Sequence, residues 1–163
     1  MKLKSLVLAA ALLPAFGSAF ADDFTVDLIG GPNVWSAHLG ATHTTGNFSD
    51  TFTFSNYSAD NGTVFASLIN TATAWSDLSF TSVTLNGANI ASGDIGPLSI
   101  AAILGEDVTG PLTLTVAGTV TGQVASYGGD FNVTTPVPEP ATYGMLAGGL
   151  GVLAFAARRR KQK

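Results

Sequence analysis

The residues best suited to chemistry in this chain are few and widely spaced. Histidine occurs only at His38 and His43. Together with Asp27 or Asp50 they supply imidazole and carboxylate, the donor types of a metal site. No H-x-H or H-E-x-x-H pattern holds them on one face, so two exposed loop histidines are the plainer expectation. Serines are plentiful, but a nucleophilic serine needs an oriented base, and no G-x-S-x-G elbow is present. Glycoside hydrolysis needs two acids facing one cleft. The middle of the chain holds one Glu, Glu106, beside Asp107 in a Gly105-to-Gly110 stretch that reads as a solvated turn. No glycine cluster leads from a strand into a helix to cradle phosphate. Cysteine is absent, which excludes disulfides, thiolate zinc sites and a thiol nucleophile. The expectation is a protein that is not an enzyme and carries no resident cofactor.

One acid stands out by its neighbours. In Phe48-Ser49-Asp50-Thr51-Phe52-Thr53-Phe54 the side chains of a strand alternate, so Phe48, Asp50, Phe52 and Phe54 share one face. The aromatics seek the core and draw Asp50 in with them. A buried carboxylate is costly unless it is paired or hydrogen-bonded. No Lys or Arg lies between Asp22 and Pro138, so its partner must be a backbone N–H, a hydroxyl, a histidine or a bound cation. Asp50 is expected to cap a loop or sit at a bulge. The sharper alternative is a Ca²⁺ ligand.

Other side chains have surface uses. Trp35, Trp75 and Tyr127 have flat apolar faces that can stack on sugar rings, although at least one Trp is expected in the core. Thr51/Thr53, Thr113/Thr115 and Thr119/Thr121 form T-x-T pairs, ordinary on a solvent-facing strand. Asn47, Asn56, Asn61 and Asn132 begin N-x-S/T sequons, a by-product of the Asn, Ser and Thr content.

The elements that must position these residues are strands. Thr, Val, Phe and Ile recur between Gly, Asn, Asp and Ser clusters over residues 22–135. The pattern predicts strands at Phe24–Leu28, Trp35–Leu39, Phe48–Ser55, Thr63–Leu68, Leu78–Leu85, Leu112–Val120 and Phe131–Thr134. Leu98–Leu104 is ambiguous between strand and helix. Asn86-Gly87 predicts a type I′ turn to a short Ala88–Ala91 return, and Asn61-Gly62 a second turn. The expected fold class is all-β, an antiparallel two-sheet sandwich, jelly-roll-like.

Charge separates the chain into segments. Charged residues are only 11% of the total, and all seven cations lie near the termini. A middle segment with nine Asp, one Glu and no cation cannot neutralise phosphates, which excludes nucleic acid as a partner. Residues 1–21 have the form of a signal peptide: Lys2 and Lys4, an apolar run from Leu6 to Leu13, and a cleavage site at Ala19-Phe20-Ala21. Residues 136–163 have three parts. A stiff Pro-rich motif spans residues 136–140. An uncharged Ala141-to-Ala157 segment is about 25 Å long as a helix and is expected to be a single transmembrane span. The basic tail of residues 158–163, with Arg158, Arg159, Arg160 and Lys161, would remain cytoplasmic and place residues 22–140 outside.

This C-terminal arrangement resembles the PEP-CTERM sorting signal of Gram-negative bacteria. The resemblance rests on Val137-Pro138-Glu139-Pro140-Ala141, the short span and the arginine cluster. Phe48, Asp50, Phe52, Thr53 and Phe54 are similar to the F-x-D-x-F signature of a subgroup of such proteins. The resemblance implies an exosortase partner, inner-membrane retention of a precursor with its outer domain in the periplasm, then delivery to the cell surface or an extracellular matrix, with exopolysaccharide as an associated partner. The same tail is described elsewhere as an ice-binding-protein C-terminal domain. Alternatives for the outer domain are a carbohydrate- or ice-binding module and, less favoured, a surface hydrolase.

Overall fold

The computed structural model describes residues 20–57, 61–136 and 140–160. Among them are nine strands followed by one helix: β1 Asp23–Asp27, β2 Ile29–Gly30, β3 Val34–Ser55, β4 Asn61–Thr71, β5 Ser76–Leu85, β6 Ala88–Asn89, β7 Ala91–Ile95, β8 Leu98–Thr109, β9 Thr113–Thr134 and α1 Pro140–Arg160. The fold is all-β with a C-terminal helix. Its spine is the antiparallel pair of β3 and β9, each 22 residues long. The first half of β9 pairs β5, and its second half pairs β4, which continues through β8 to β7. Apolar side chains from both groups form one buried cluster that includes Phe52, Val64, Leu78, Leu114 and Phe131.

The two spine strands change faces part-way along. In β3 the odd positions Ala37, Leu39 and His43 are buried, then the even positions Phe48, Asp50, Phe52 and Phe54. β9 does the reverse, burying Leu114, Val116 and Val120, then Ala125, Tyr127, Phe131 and Val133. The ladder breaks between Thr44 and Gly46, where Thr45 alone faces three residues of β9, Thr121 to Gln123, and each strand changes phase there. The hydroxyl of Thr45 donates to the carbonyl of Gly122 and ties the strands at that level. Gly122 has φ +96°, and a Cβ there would lie 2.1 Å from the Trp75 carbonyl oxygen, so only glycine fits both the backbone angle and the space.

Several expectations change here. Trp35–Leu39 and Phe48–Ser55 belong to one strand, as do Leu112–Val120 and Phe131–Thr134, because the bulge keeps the ladder continuous through polar, glycine-containing stretches. Leu98–Leu104 is strand, and Glu106 and Asp107 extend it as exposed strand residues instead of forming a turn. Asn61-Gly62 opens β4. The Asn86-Gly87 turn is as expected, with φ of 49° and 84°. Among the described residues every pairing between these strands is antiparallel except β1 with β3. The first half of β3 acts as the crossover there, so its second half returns alongside β1 in the same direction.

The C-terminal segment is helical, but among the described residues no helix is long and apolar enough to cross a membrane. This corrects the expected transmembrane span. Gly144, Gly148, Gly149 and Gly151, with Thr142 and Tyr143, dilute its apolar character. The large apolar side chains described on α1, among them Met145, Leu146, Leu150 and Leu153, are exposed. Residues 1–19 and the Val137-Pro138-Glu139 core of the motif lie outside the described residues.

Gly122→Ala is expected to destabilise the domain by about 2 kcal/mol, from backbone strain and the clash with Trp75. Urea unfolding would show a lower midpoint at unchanged slope.

Candidate functional site

The change of phase brings His43 and Asp50 together. They are seven apart, an odd separation that puts side chains on opposite faces of a regular strand. With the bulge between them both point inward, at 4% and 0% exposure. His43 Nε2 lies 2.7 Å from Asp50 Oδ2. The Tyr127 hydroxyl donates to the same oxygen at 2.5 Å. Tyr127 sits two residues beyond Ala125, the β9 partner of His43. An ionised carboxylate accepts only, so Nε2 carries the proton in this contact.

The surroundings are aromatic. Phe48 stacks on the His43 ring at 4.3 Å between centroids and 8° between planes. A Cβ at Gly118 would come within 2.6 Å of the Phe48 ring, so the missing side chain is what admits it. Phe52 and Phe80 meet Tyr127 edge-on. Burial pushes the Tyr127 phenol far above its ordinary range, helped by its hydrogen bond to Asp50 and by the negative charges of Asp50 and Asp22. The expected uses of these residues change accordingly. His43 is a buried strand residue, not a loop histidine. Asp50 neither caps a loop nor sits at the bulge. Tyr127 cannot stack on a sugar.

Asp22, His43 and Asp50 each offer a ligand atom, all within 4.8 Å of one another. One nitrogen and two carboxylates fall short of the six to eight oxygens that Ca²⁺ takes. A cation at this cluster would also have to displace the contact between Nε2 and Oδ2. His38 is elsewhere, exposed and 2.5 Å from Asp130, while Asp27 accepts from the Ser55 hydroxyl. The outward residues of the F-x-D-x-F strand are ordinary sheet surface, with Thr51 opposite Thr115 and Thr53 opposite Thr113. Arg158, Arg159 and Arg160 end α1, Pro140 and Ala141 begin it, Ala21 is exposed, and Lys161 and Ala19 lie outside the described residues.

Beside this network the surface opens into a cleft of about 470 Å³ between the end of β4 and residues 124–128 of β9. Asn70 and Ser76 line it. The Asn70 amide donates to the Ser126 carbonyl at 2.6 Å, while its Oδ1 is buried without a hydrogen-bond partner among the described residues. Ser76 Oγ is in the same condition. A second cleft of about 280 Å³, lined by Trp75, Asp77, Thr121 and Gly122, shares Thr73 and Ser76 with the first. Nothing in the sequence pattern marks Asn70 or Ser76. Trp35 packs edge-on to Tyr57 at 6.0 Å, whereas Trp75 is 84% exposed.

An all-β domain with a sealed acid–imidazole–phenol network and an open polar cleft, followed by a separate C-terminal helix, is the class of protein seen here. Residues 136–161 match the PEP-CTERM protein-sorting motif, so the chain carries that signal at its C-terminus. No curated protein matches the sequence. Solved structures similar to this chain include the pre-peptidase C-terminal domain of collagenase from Bacillus anthracis, at 10% identity and TM-score 0.39, covering 70% of this chain and 96% of that one. Another is PliG from Aeromonas hydrophila, a periplasmic inhibitor of g-type lysozyme, at 12% identity and TM-score 0.39, covering 70% and 99%.

Asp50→Ala leaves a buried imidazole and phenol unpaired and is expected to cost about 3–5 kcal/mol, read by chemical denaturation. Tyr127→Phe removes one hydrogen bond to a charged group, for a loss of about 1.5–3 kcal/mol. Because the folded state raises the Tyr127 pKa, its contribution is complete below the unfolded tyrosine value of about 10 and declines as pH rises beyond it. Stability measured from pH 8 to 12 should fall in the native protein and fall less in Tyr127→Phe.

Proposed function

We propose that this chain is an exported, non-enzymatic protein of the cell surface or extracellular matrix, sorted by an exosortase acting on its C-terminus. The observation that carries the proposal is the match of residues 136–161 to the PEP-CTERM protein-sorting motif. The motif implies an exosortase as processing partner and an exported, membrane-associated precursor. The exposed apolar side chains of α1 and the arginines at its end support a segment used for retention instead of folding. In this reading residues 1–21 are a leader removed on export, and the C-terminal segment keeps the exported precursor associated with the membrane until it is processed. That domain is a two-layer sandwich built on the β3–β9 spine, and Phe48 to Phe54 form the F-x-D-x-F signature. A structural role for the Asp50 network is supported by its burial and by its polar contacts being internal. Secretion into an exopolysaccharide-bearing matrix completes the proposal.

Mass spectrometry of the mature protein is expected to find it without residues 141–163, and to find a Glu139→Ala form with them. Retention of the basic tail by both forms would show that the motif is not processed.

A further inference from the structure

The exposed side chain of Trp75 is held on an unusually constrained stretch of backbone. The Thr73 N–H donates to the Ser76 carbonyl at 2.8 Å, and the Ser76 N–H donates to the Thr73 hydroxyl at 3.2 Å. The Trp75 carbonyl lies against Gly122 at the level where β9 changes faces. An indole that is 84% exposed therefore stands on a clamped turn, with little chain entropy left to lose on binding. On both sides of that turn lie polar clefts, and the larger is within the size range of small-ligand sites. Asn70, only 6% exposed, and Ser76 each contribute a buried oxygen without a hydrogen-bond partner among the described residues. Asp77, which lines the smaller cleft, accepts from the Leu78 N–H through Oδ1.

We propose that these joined clefts bind a neutral glycan. The ligand must offer an apolar face to the indole and hydroxyl donors to Asn70 Oδ1 and Ser76 Oγ. A pyranose ring has both, with C–H groups on its faces and hydroxyls at its edge. Water can satisfy these oxygens in the free protein, and sugar hydroxyls reproduce those bonds when they displace it. Charge narrows the class further. No Lys or Arg lies between residues 5 and 157, and ten carboxylates lie between Asp22 and Pro138, so a uronate- or sulfate-bearing polymer would be repelled. The site does not depend on how the chain is sorted.

Purified full-length protein should be tested for retention on insoluble cellulose and on a cross-linked neutral dextran and β-1,3-glucan, with alginate gel as the anionic comparison. Retention on at least one neutral matrix is expected, with none on alginate. Trp75→Ala should weaken it by about tenfold or more at an unchanged melting temperature, since the indole makes little contact with the fold. Trp75→Phe should restore most of the retention. Binding to none of the neutral matrices, preference for alginate, or full retention by Trp75→Ala would overturn the proposal. Failure of C-terminal processing would leave all of these results unchanged.

Discussion

A carboxylate buried where no cation exists must be accommodated by neutral partners, and much of this domain is arranged around that problem. Asp50 is drawn inward by the phenylalanines beside it. Taking its charge out of water costs several kcal/mol unless strong hydrogen bonds replace hydration. His43 and Tyr127 supply two of them to one oxygen. Supplying His43 requires β3 to change faces at Thr45, and supplying Tyr127 requires β9 to change faces at the same level. The glycine at 118 then makes room for the ring that supports the imidazole. The long kinked spine is thus tied to the demands of a single side chain.

Half of this arrangement could be read from the residues. The alternation of Phe48, Phe52 and Phe54 places Asp50 inside, and the absence of Lys and Arg limits its partners to hydroxyls, imidazole, backbone or a cation. Which of these it takes was hidden. The odd separation of His43 and Asp50 argues against a shared face, and a bulge at Thr44 to Gly46 has no strong pattern in the sequence. Tyr127 is 77 residues away and meets Asp50 only through strand pairing. Asn86-Gly87 was legible because its conformation is local. Asn70 and Ser76 were not, since an orphaned oxygen is a property of packing. The C-terminal motif was read correctly from prolines, acid and arginines, whereas its helix is less apolar than its lack of charge suggested.

The network and the cleft are adjacent but differ in access to solvent. Around Asp50 the hydrogen bonds converge on Oδ2 under aromatic cover, and Oδ1, sealed from solvent, has no hydrogen-bond partner among the described residues. Around Ser76 the polar groups are left without partners at an opening, next to an aromatic ring with nothing on top of it. Proteins place most buried polar atoms in hydrogen bonds, so a pair of unmatched oxygens in one concavity is informative where one alone would not be. The same backbone serves both regions: Tyr127 closes the first, and its neighbours in β9 form a wall of the second.

The shared kink also limits how the chain can vary in length. Inserting or deleting one residue before Thr44 would leave the pairing of β3 with β9 intact only if a bulge absorbed it. The same change at Gly46 or Asn47 would turn Asp50 and three phenylalanines outward together, because strand phase is inherited by every residue that follows. A matching change in β9 would restore pairing but would not restore burial. Related chains that keep this core should therefore differ in length at the strand ends and tips and hold a constant count between His43 and Asp50. That spacing is a sharper signature of the architecture than any single residue in it.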